Sequence, residues 1–142
     1  MTKHIEDQHQ TALFSWAKLI NIRLENGSVI KLIDALYAIP NGGKRGLREA
    51  VRLKAQGVKA GVSDAHLPIS SNKYHGLWIE LKKPKVKGQK SPPKVSDSQK
   101  IWLETMKNLG HKVLVAYGFD EAREAIKEYL GPMIIQKNRG KK

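Results

Sequence analysis

The sequence predicts a single α/β domain in which a mixed β-sheet is flanked by helices. With 142 residues, of which 40% are hydrophobic, the chain is long enough for one core and too short for two. Alternation of apolar and polar residues predicts strands, most clearly in residues 77–83. Apolar residues spaced three and four apart predict helices near both ends of the chain.

The first predicted element is a helix over residues 4–20. Its apolar stripe consists of Leu13, Trp16, Ala17 and Ile20. Glu6 and Gln10 are four residues apart, so they share one face of this helix. An acidic residue in a first helical turn also suits the helix dipole, which gives Glu6 an ordinary structural explanation.

Residues 29–39 are apolar and rich in strand formers toward their end, where the turn formers of residues 40–43 stop them. A second helix is predicted from Lys44 to about Gln56. It carries a basic stripe of Lys44, Arg48 and Arg52. The stripe is either an ordinary solvated face or a surface that contacts phosphate groups.

Residues 61–69 and 77–83 predict two antiparallel strands that form a hairpin. A hairpin centred near residue 72 pairs positions whose numbers sum to about 144, which places Asp64 opposite Glu80. This register is the simplest one that the intervening turn allows.

The hairpin predicts a charged cluster on one face of the sheet. Since side chains alternate along a strand, Lys82 lies on the same face as Glu80 and its neighbour Asp64. Adjacent carboxylates repel unless a cation lies between them, and Mg²⁺ or Mn²⁺ suits a site made of oxygen ligands. The alternative is an exposed ion pair between Glu80 and Lys82.

Residues 83–95 predict a loop that is rich in lysine and proline. Its lysines are Lys83, Lys85, Lys87, Lys90 and Lys94. The loop contains no aromatic residue, so base stacking is not expected there. One interpretation is a disordered, solvated loop. The other is a loop that contacts the nucleic-acid backbone beside the acidic pair, and neither interpretation excludes the other.

The last third of the chain predicts a helix, a strand and a helix. Ser96 and Gln99 fit a capping box at the start of the third helix. Its apolar face consists of Trp102, Met106 and Leu109. Residues 112–117 predict a buried strand because four consecutive residues are apolar, and Asp120 is expected to cap the last helix. A basic tail is expected over residues 132–142.

Composition restricts the partners and the chemistry. The net charge of +13 indicates a polyanionic partner, most often nucleic acid, although an acidic protein is the alternative. The absence of cysteine excludes disulfides, zinc thiolate sites and cysteine nucleophiles. There is no membrane-length apolar run, signal-like segment or Walker loop, so we expect a cytoplasmic protein without membrane or nucleotide cofactor.

Several motifs occur in one order along most of the chain, from about residue 5 to residue 130. They are Glu6-x-x-x-Gln10, residues 39–45, residues 57–64, residues 76–84 and Ser98-Gln99-x-x-Trp102. In this order they resemble the PD-(D/E)xK nuclease superfamily, and more closely its VRR-NUC (virus-type replication-repair nuclease) branch in the stand-alone form of phages and bacteria. Ser63 departs from the pattern, because it stands where the superfamily name has proline.

The resemblance implies a restriction-endonuclease-like core over residues 1–131 and an endonuclease that depends on Mg²⁺ or Mn²⁺. It assigns metal binding to Glu6, Asp64, Glu80 and the backbone carbonyl of Leu81. Lys82 would orient or deprotonate the attacking water, and Gln99 would hold Lys82 or that water in place. Gln10 would support these groups from the first helix.

The resemblance also implies DNA as the partner. The residues expected to contact it are Lys44, Arg45, Arg48, Arg52, Lys83, Lys85 and Lys87. The family's stand-alone members are associated with homodimers and with branched DNA, including four-way junctions. The alternatives are a less selective nuclease for flaps, single strands or nicked duplex, a DNA-binding module without catalysis, and an adaptor for acidic proteins.

Overall fold

The computed structural model describes residues 2–40 and 46–136. Within these ranges the helices are α1 (Thr2–Ala17), α2 (Leu47–Ala55), α3 (Asp97–Asn108) and α4 (Phe119–Leu130). The strands are β1 (Asn21–Arg23), β2 (Val29–Lys31), β3 (Tyr37–Ala38), β4 (Ala65–Leu67), β5 (Leu77–Lys82) and β6 (Lys112–Tyr117). Short 3-10 helices cover Leu32–Asp34 and Gly131–Met133.

The main sheet has four strands in the order β3-β4-β5-β6. The pairs β3–β4 and β4–β5 are antiparallel, whereas β5 and β6 are parallel. Strands β1 and β2 form a separate antiparallel pair. The prediction of a mixed sheet is therefore confirmed.

The predicted hairpin register is also confirmed, since Ala65 pairs with Ile79 and Leu67 with Leu77. Strand β4 is nevertheless much shorter than the expected residues 61–69. Asp64 lies just before β4, and its side-chain Oδ2 accepts the backbone N–H of Leu81 at 2.7 Å. The Asp64 side chain therefore accepts a hydrogen bond from the backbone of β5, and the regular pairing of β4 with β5 begins only at Ala65.

The two faces of the main sheet are covered by different helices. On one face, Ile79 and Leu81 are buried with Leu13 of α1 and Ile126 of α4. On the other face, Trp102 of α3 packs against the strand residue Trp78, with 5.1 Å between the ring centroids. The helices thus flank the sheet as the sequence predicted.

Some predicted elements differ in extent or burial. Strand β6 is at an edge of the sheet, and only Ala116 is fully buried in the run that was expected to be buried throughout. Helix α4 is capped by Gly118, so Asp120 belongs to its first turn and is not the cap. Leu109 follows α3 and is exposed, because the apolar face of α3 ends at Met106.

Helix α2 has no buried residue within its described length, and its Leu47 and Val51 side chains are 82% and 61% exposed. No helix in the described ranges is long and apolar enough to cross a membrane. Beyond α4 the chain still contacts the body of the protein, since Ile134 forms an isolated bridge with Ile22.

Candidate active site

A polar cleft of about 380 Å³ opens where β4 begins beside the end of β5. It is lined by Glu6, Asp7, Gln10, Ile39, Pro40, Asp64, Glu80, Leu81, Lys82 and Gln99. Two larger cavities, of about 640 and 610 Å³, lie elsewhere on the described part of the chain, and neither is lined by two carboxylates. The residues expected to act in catalysis and metal binding therefore come from four separate segments and meet in one cleft.

Asp64 is held by backbone on two sides. Its main-chain oxygen accepts the N–H of Ile39 at 2.8 Å, which continues the pairing between β3 and β4. Its side chain accepts the N–H of Leu81 at 2.7 Å. Because both anchors are main-chain atoms of neighbouring strands, the carboxylate is fixed in position before any ligand arrives.

Glu80 is 2% exposed and lies beside Asp64. Burial, followed by the charge and hydrogen bonding of Asp64, raises the pKa of Glu80 to about 9 from its ordinary value of 4.5, against the opposing effect of Lys82. Its Oε1 atom has no donor among the described residues. At neutral pH and without a cation, the two carboxyl groups therefore share one proton.

Lys82 and Glu80 form a buried pair, with 3.8 Å between Nζ and Oε2. The alternative of an exposed ion pair is therefore wrong. Lys82 Nζ also donates to Gln99 Oε1 at 2.9 Å, and Gln99 Nε2 donates to Glu80 Oε2 at 3.0 Å. Gln99 thus bridges the lysine and the carboxyl group through a single amide.

Gln99 also completes the predicted capping box. Its Oε1 accepts the backbone N–H of Ser96 at 2.8 Å, while Ser96 Oγ accepts the backbone N–H of Gln99 at 3.2 Å. An amide oxygen has two lone pairs, so one atom serves the helix cap and Lys82 together. The start of α3 and the polar cluster are therefore mechanically linked.

Gly61 fixes the segment before Asp64 against the same helix start. Its φ is +83°, and a Cβ there would overlap the carbonyl group of Ser98 and lie 2.8 Å from the backbone nitrogen of Gln99. Only glycine fits this conformation and this close approach. Gly61 stood inside the motif of residues 57–64, but the strand prediction gave no sign of the contact with α3.

Glu6 and Gln10 reach the cleft from α1. Burial raises the pKa of Glu6, Lys82 opposes the rise and the negative charge of Asp64 adds to it. Sequence reasoning did not assign Asp7, Ile39 or Pro40 to the cleft, although Asp7 follows Glu6 and the other two belong to the motif of residues 39–45. A search of the described residues finds no ready-made group of three or more histidine, aspartate or glutamate side chains for a metal ion.

The donor set nevertheless fits a hard divalent ion. The unpartnered Oε1 of Glu80 and the neighbouring carboxylate of Asp64 are oxygen ligands that a cation would satisfy in place of the shared proton. Leu81 also lines the cleft, and its backbone N–H donates to the Asp64 carboxylate. Two carboxylates and one carbonyl would fill only part of the coordination shell of a metal ion. This suits Mg²⁺, which usually keeps several water ligands when it binds a protein.

The basic residues lie outside the cleft lining. Arg48 and Arg52 are exposed on α2, and Lys85 and Lys87 are exposed in the loop after β5, where Lys83 is half-buried. The Nζ atom of Lys85 lies 4.4 Å from the ring centroid of a β6 tyrosine, which steadies the start of that loop. The predicted contacts Lys44 and Arg45 lie outside the described residues.

Fold and cleft together are those of a mixed α/β nuclease-type domain. The model of the VRR-NUC domain family matches residues 6–120, and the chain belongs to that family. A solved structure described as a VRR_NUC domain protein is 31% identical, with a TM-score of 0.68, and the match covers 87% of this chain and 86% of that chain. No curated protein matches the chain. Membership in the family implies a nuclease-type function with DNA as the partner.

Proposed function

We propose that the protein is a DNA endonuclease that depends on Mg²⁺ or Mn²⁺ and hydrolyses phosphodiester bonds. The observation that carries this proposal is the convergence of Asp64, Glu80 and Lys82 in one cleft, with Gln99 bonded to both Glu80 and Lys82. Each group has a role that phosphodiester hydrolysis needs. Asp64 comes from the segment before β4, Glu80 and Lys82 from β5, and Gln99 from α3.

Asp64, Glu80 and the carbonyl of Leu81 are the groups that would hold the cation, with Glu6 contributing directly or through water. When bound, a divalent ion supplies positive charge to the phosphate oxygens and a more acidic water. Glu80 would have to release its proton for its oxygens to bind the cation, because a proton and the cation cannot occupy the same oxygens.

Lys82 would orient or deprotonate the attacking water and offset negative charge on the phosphate. Its Nζ is held by Gln99 Oε1, which leaves the ammonium group at the cleft wall, where a phosphate oxygen or the attacking water would lie. Negative charge that develops on the nonbridging oxygens is stabilised by this charge in a site largely shielded from solvent. Gln10 supports the same groups from α1.

The basic residues provide sequence-independent affinity for DNA. Lys85 and Lys87 are exposed in the loop after β5, Arg48 and Arg52 are exposed on α2, and Lys83 is half-buried next to Lys82. Lys44 and Arg45, which lie outside the described residues, are proposed as further DNA contacts on the sequence alone. The net charge of +13 agrees with this role, as does the cytoplasmic location expected from the sequence.

Branched DNA, such as a four-way (Holliday) junction, is the proposed substrate, with a homodimer as the active form. The support is the resemblance to stand-alone VRR-NUC proteins and a symmetry argument. A two-fold dimer presents two active sites to a substrate that is itself two-fold symmetric. Light scattering after size exclusion tests this arrangement, and a monomer at micromolar concentration would remove the dimer.

The test of the whole proposal is cleavage of a labelled four-way junction and of a linear duplex with the same sequence. Each substrate is incubated with Mg²⁺, Mn²⁺ or EDTA, using the natural protein and Lys82→Ala. We expect cutting of the junction with metal only and its loss in Lys82→Ala. Lys107→Ala removes an exposed lysine of α3 and serves as the matched control.

The other outcomes separate the alternatives. Equal cutting of junction and duplex would keep the nuclease and refute the junction preference. Tight DNA binding in EDTA without cutting under either metal would support a DNA-binding module and remove the catalytic roles. No affinity for any DNA would support the adaptor for acidic proteins.

A further inference from the structure

A row of rings crosses the sheet on the face that carries the carboxylates. Tyr37 of β3 pairs with His66 of β4, which pairs with Trp78 of β5. Directly paired residues of antiparallel strands point to the same side, and Trp78 is two residues from Glu80 on β5. The row and the acidic pair therefore share one face of the sheet.

The rings of this row hold one another in place. Tyr37 Oη and His66 Nδ1 share a hydrogen bond of 2.8 Å, and their rings meet edge to face with 5.4 Å between centroids. His66 stacks on Trp78 at 3.9 Å with an angle of 13° between the planes. Trp102 of α3 closes the inner end of the row by packing edge-on against Trp78.

The row is partly buried along its inner part and open at its outer end. His66 at the centre and Trp78 behind it are both partly buried. Tyr37 at the outer end is 47% exposed. An aromatic side chain that is exposed but already fixed by a hydrogen bond loses little conformational entropy when it binds a ligand.

Tyr37 lies next to the catalytic cleft. Two residues further along the chain, Ile39 lines the cleft and its N–H bonds the main chain of Asp64. Two residues of strand span about 6.7 Å. This is about two base steps along one strand of B-form DNA, at about 3.4 Å per step.

We propose that Tyr37 is a stacking site for an unpaired nucleobase one or two nucleotides from the phosphate that the cleft holds. The inference rests on the proposed nuclease function and names a feature of its substrate. A base inside a duplex has both faces covered by its neighbours, so only an unpaired or displaced base can offer a face to the Tyr37 ring. Branch points, gaps and flaps provide such bases.

A nucleobase is the occupant favoured by the surroundings. The net charge of +13 favours a polyanionic partner, and the cleft proposed to act on its phosphate groups begins two residues away at Ile39. The lysine loop after β5 lacks aromatic residues, so phosphate contacts and base contacts would come from different elements. The alternative is that Tyr37 only protects the edge strand β3, which the experiment below distinguishes.

The experiment measures binding without cleavage, in EDTA. The probes are a gapped duplex with 2-aminopurine as its unpaired base and the same duplex without a gap. The variants are Tyr37→Leu, which removes the ring, and Tyr37→Phe, which keeps it. Tyr74→Leu is the matched control, since Tyr74 is 38% exposed at the distant hairpin turn and does not line the cleft.

For the natural protein, Tyr37→Phe and Tyr74→Leu, we expect quenching of 2-aminopurine by a stacked ring. For Tyr37→Leu we expect loss of the quenching and an affinity for the gapped probe that is lower by about 5- to 100-fold. The affinity for the intact duplex should change less than twofold. Matching thermal unfolding curves confirm that the variants fold.

Equal affinity and equal quenching in Tyr37→Leu and the natural protein would overturn the inference. This outcome leaves the nuclease proposal intact if the natural protein still cuts DNA with metal. Loss of affinity for both probes by the same factor would also overturn it, because stacking on an unpaired base cannot explain a lower affinity for the intact duplex. A natural protein that binds neither probe would overturn both proposals.

Discussion

Replacing the buried acid of the cleft, in Glu80→Gln, should stabilise the protein in the absence of divalent metal. Glu80 is 2% exposed beside Asp64, and its pKa is raised to about 9. Glutamine has nearly the same shape, and its amide N–H₂ can donate to Asp64 as the protonated acid does. Its amide oxygen can still accept the hydrogen bond from Gln99 Nε2.

The magnitude follows from the two pKa values of Glu80. Between its ordinary pKa of 4.5 and the folded value of about 9, the folded protein holds a proton that the unfolded chain has released. The free energy of unfolding therefore falls as pH rises through this window, by at most about 1.4 kcal/mol per pH unit. At pH 7 the free energy of unfolding has fallen by about 3 kcal/mol in total. Glu80→Gln removes this loss because glutamine does not titrate.

The assay is urea unfolding followed by tryptophan fluorescence, in EDTA, from pH 5.5 to 8.5. The difference in stability between Glu80→Gln and the natural protein should widen steadily as pH rises. Glu104→Gln, an exposed acid on α3, serves as the control and should follow the natural protein. Parallel pH profiles for Glu80→Gln and the natural protein would refute the assignment of the shared proton to this site.

Metal ions should reverse the order of stability. If the proposed site is correct, Mn²⁺ or Mg²⁺ would replace the proton between Asp64 and Glu80. Either ion should then stabilise the natural protein and release about one proton near pH 7. Glu80→Gln lacks one of the charged ligands and should gain little. Calorimetric titration in two buffers of different ionisation enthalpy measures the proton release, and none would contradict the proposed ligand pair.

Three further perturbations test the surroundings of the cleft. Gln99→Ala removes the bridge and one of the two capping-box hydrogen bonds, so it should lower cleavage by about 100-fold and the free energy of unfolding by about 1–3 kcal/mol; unchanged cleavage under single-turnover conditions would contradict the bridge. Gly61→Ala should displace the start of α3 and destabilise the protein more than Gly57→Ala, whose φ is also positive but whose surroundings are open; equal melting temperatures would contradict this. Replacing Lys85 and Lys87 by alanine should make the slope of log affinity against log salt concentration shallower by about 0.9 per lysine, and an unchanged slope in a fluorescence titration would remove both as DNA contacts.

Local patterns were enough to predict much of the fold and the composition of the cleft. The hairpin register that pairs Ala65 with Ile79 follows from the turn position and the two-residue period of strands, both of which are short-range properties. The capping box at Ser96 and Gln99 is local for the same reason. The ordered motifs identified the family because they extend along nearly the whole chain.

Predictions that required burial were less successful. The apolar run in β6 suggested a fully buried strand, but β6 is an edge strand and only Ala116 is fully covered. The basic helix α2 was predicted, yet no pattern indicated that none of its residues would be buried. Burial depends on which elements cover a segment, and a single sequence does not state this.

Spacing along the chain was sufficient to predict how β4 and β5 align and that Glu80 and Lys82 share a face, because side chains alternate along a strand. Tertiary structure alone decided that Glu80 is buried and shares a proton with Asp64, because the pKa depends on solvent exclusion by distant segments. It also decided the double role of Gln99, the contact of Gly61 with α3 and the row from Tyr37 to Trp78. Each of these joins residues far apart in the chain, and only the packing of whole elements brings them within bonding distance.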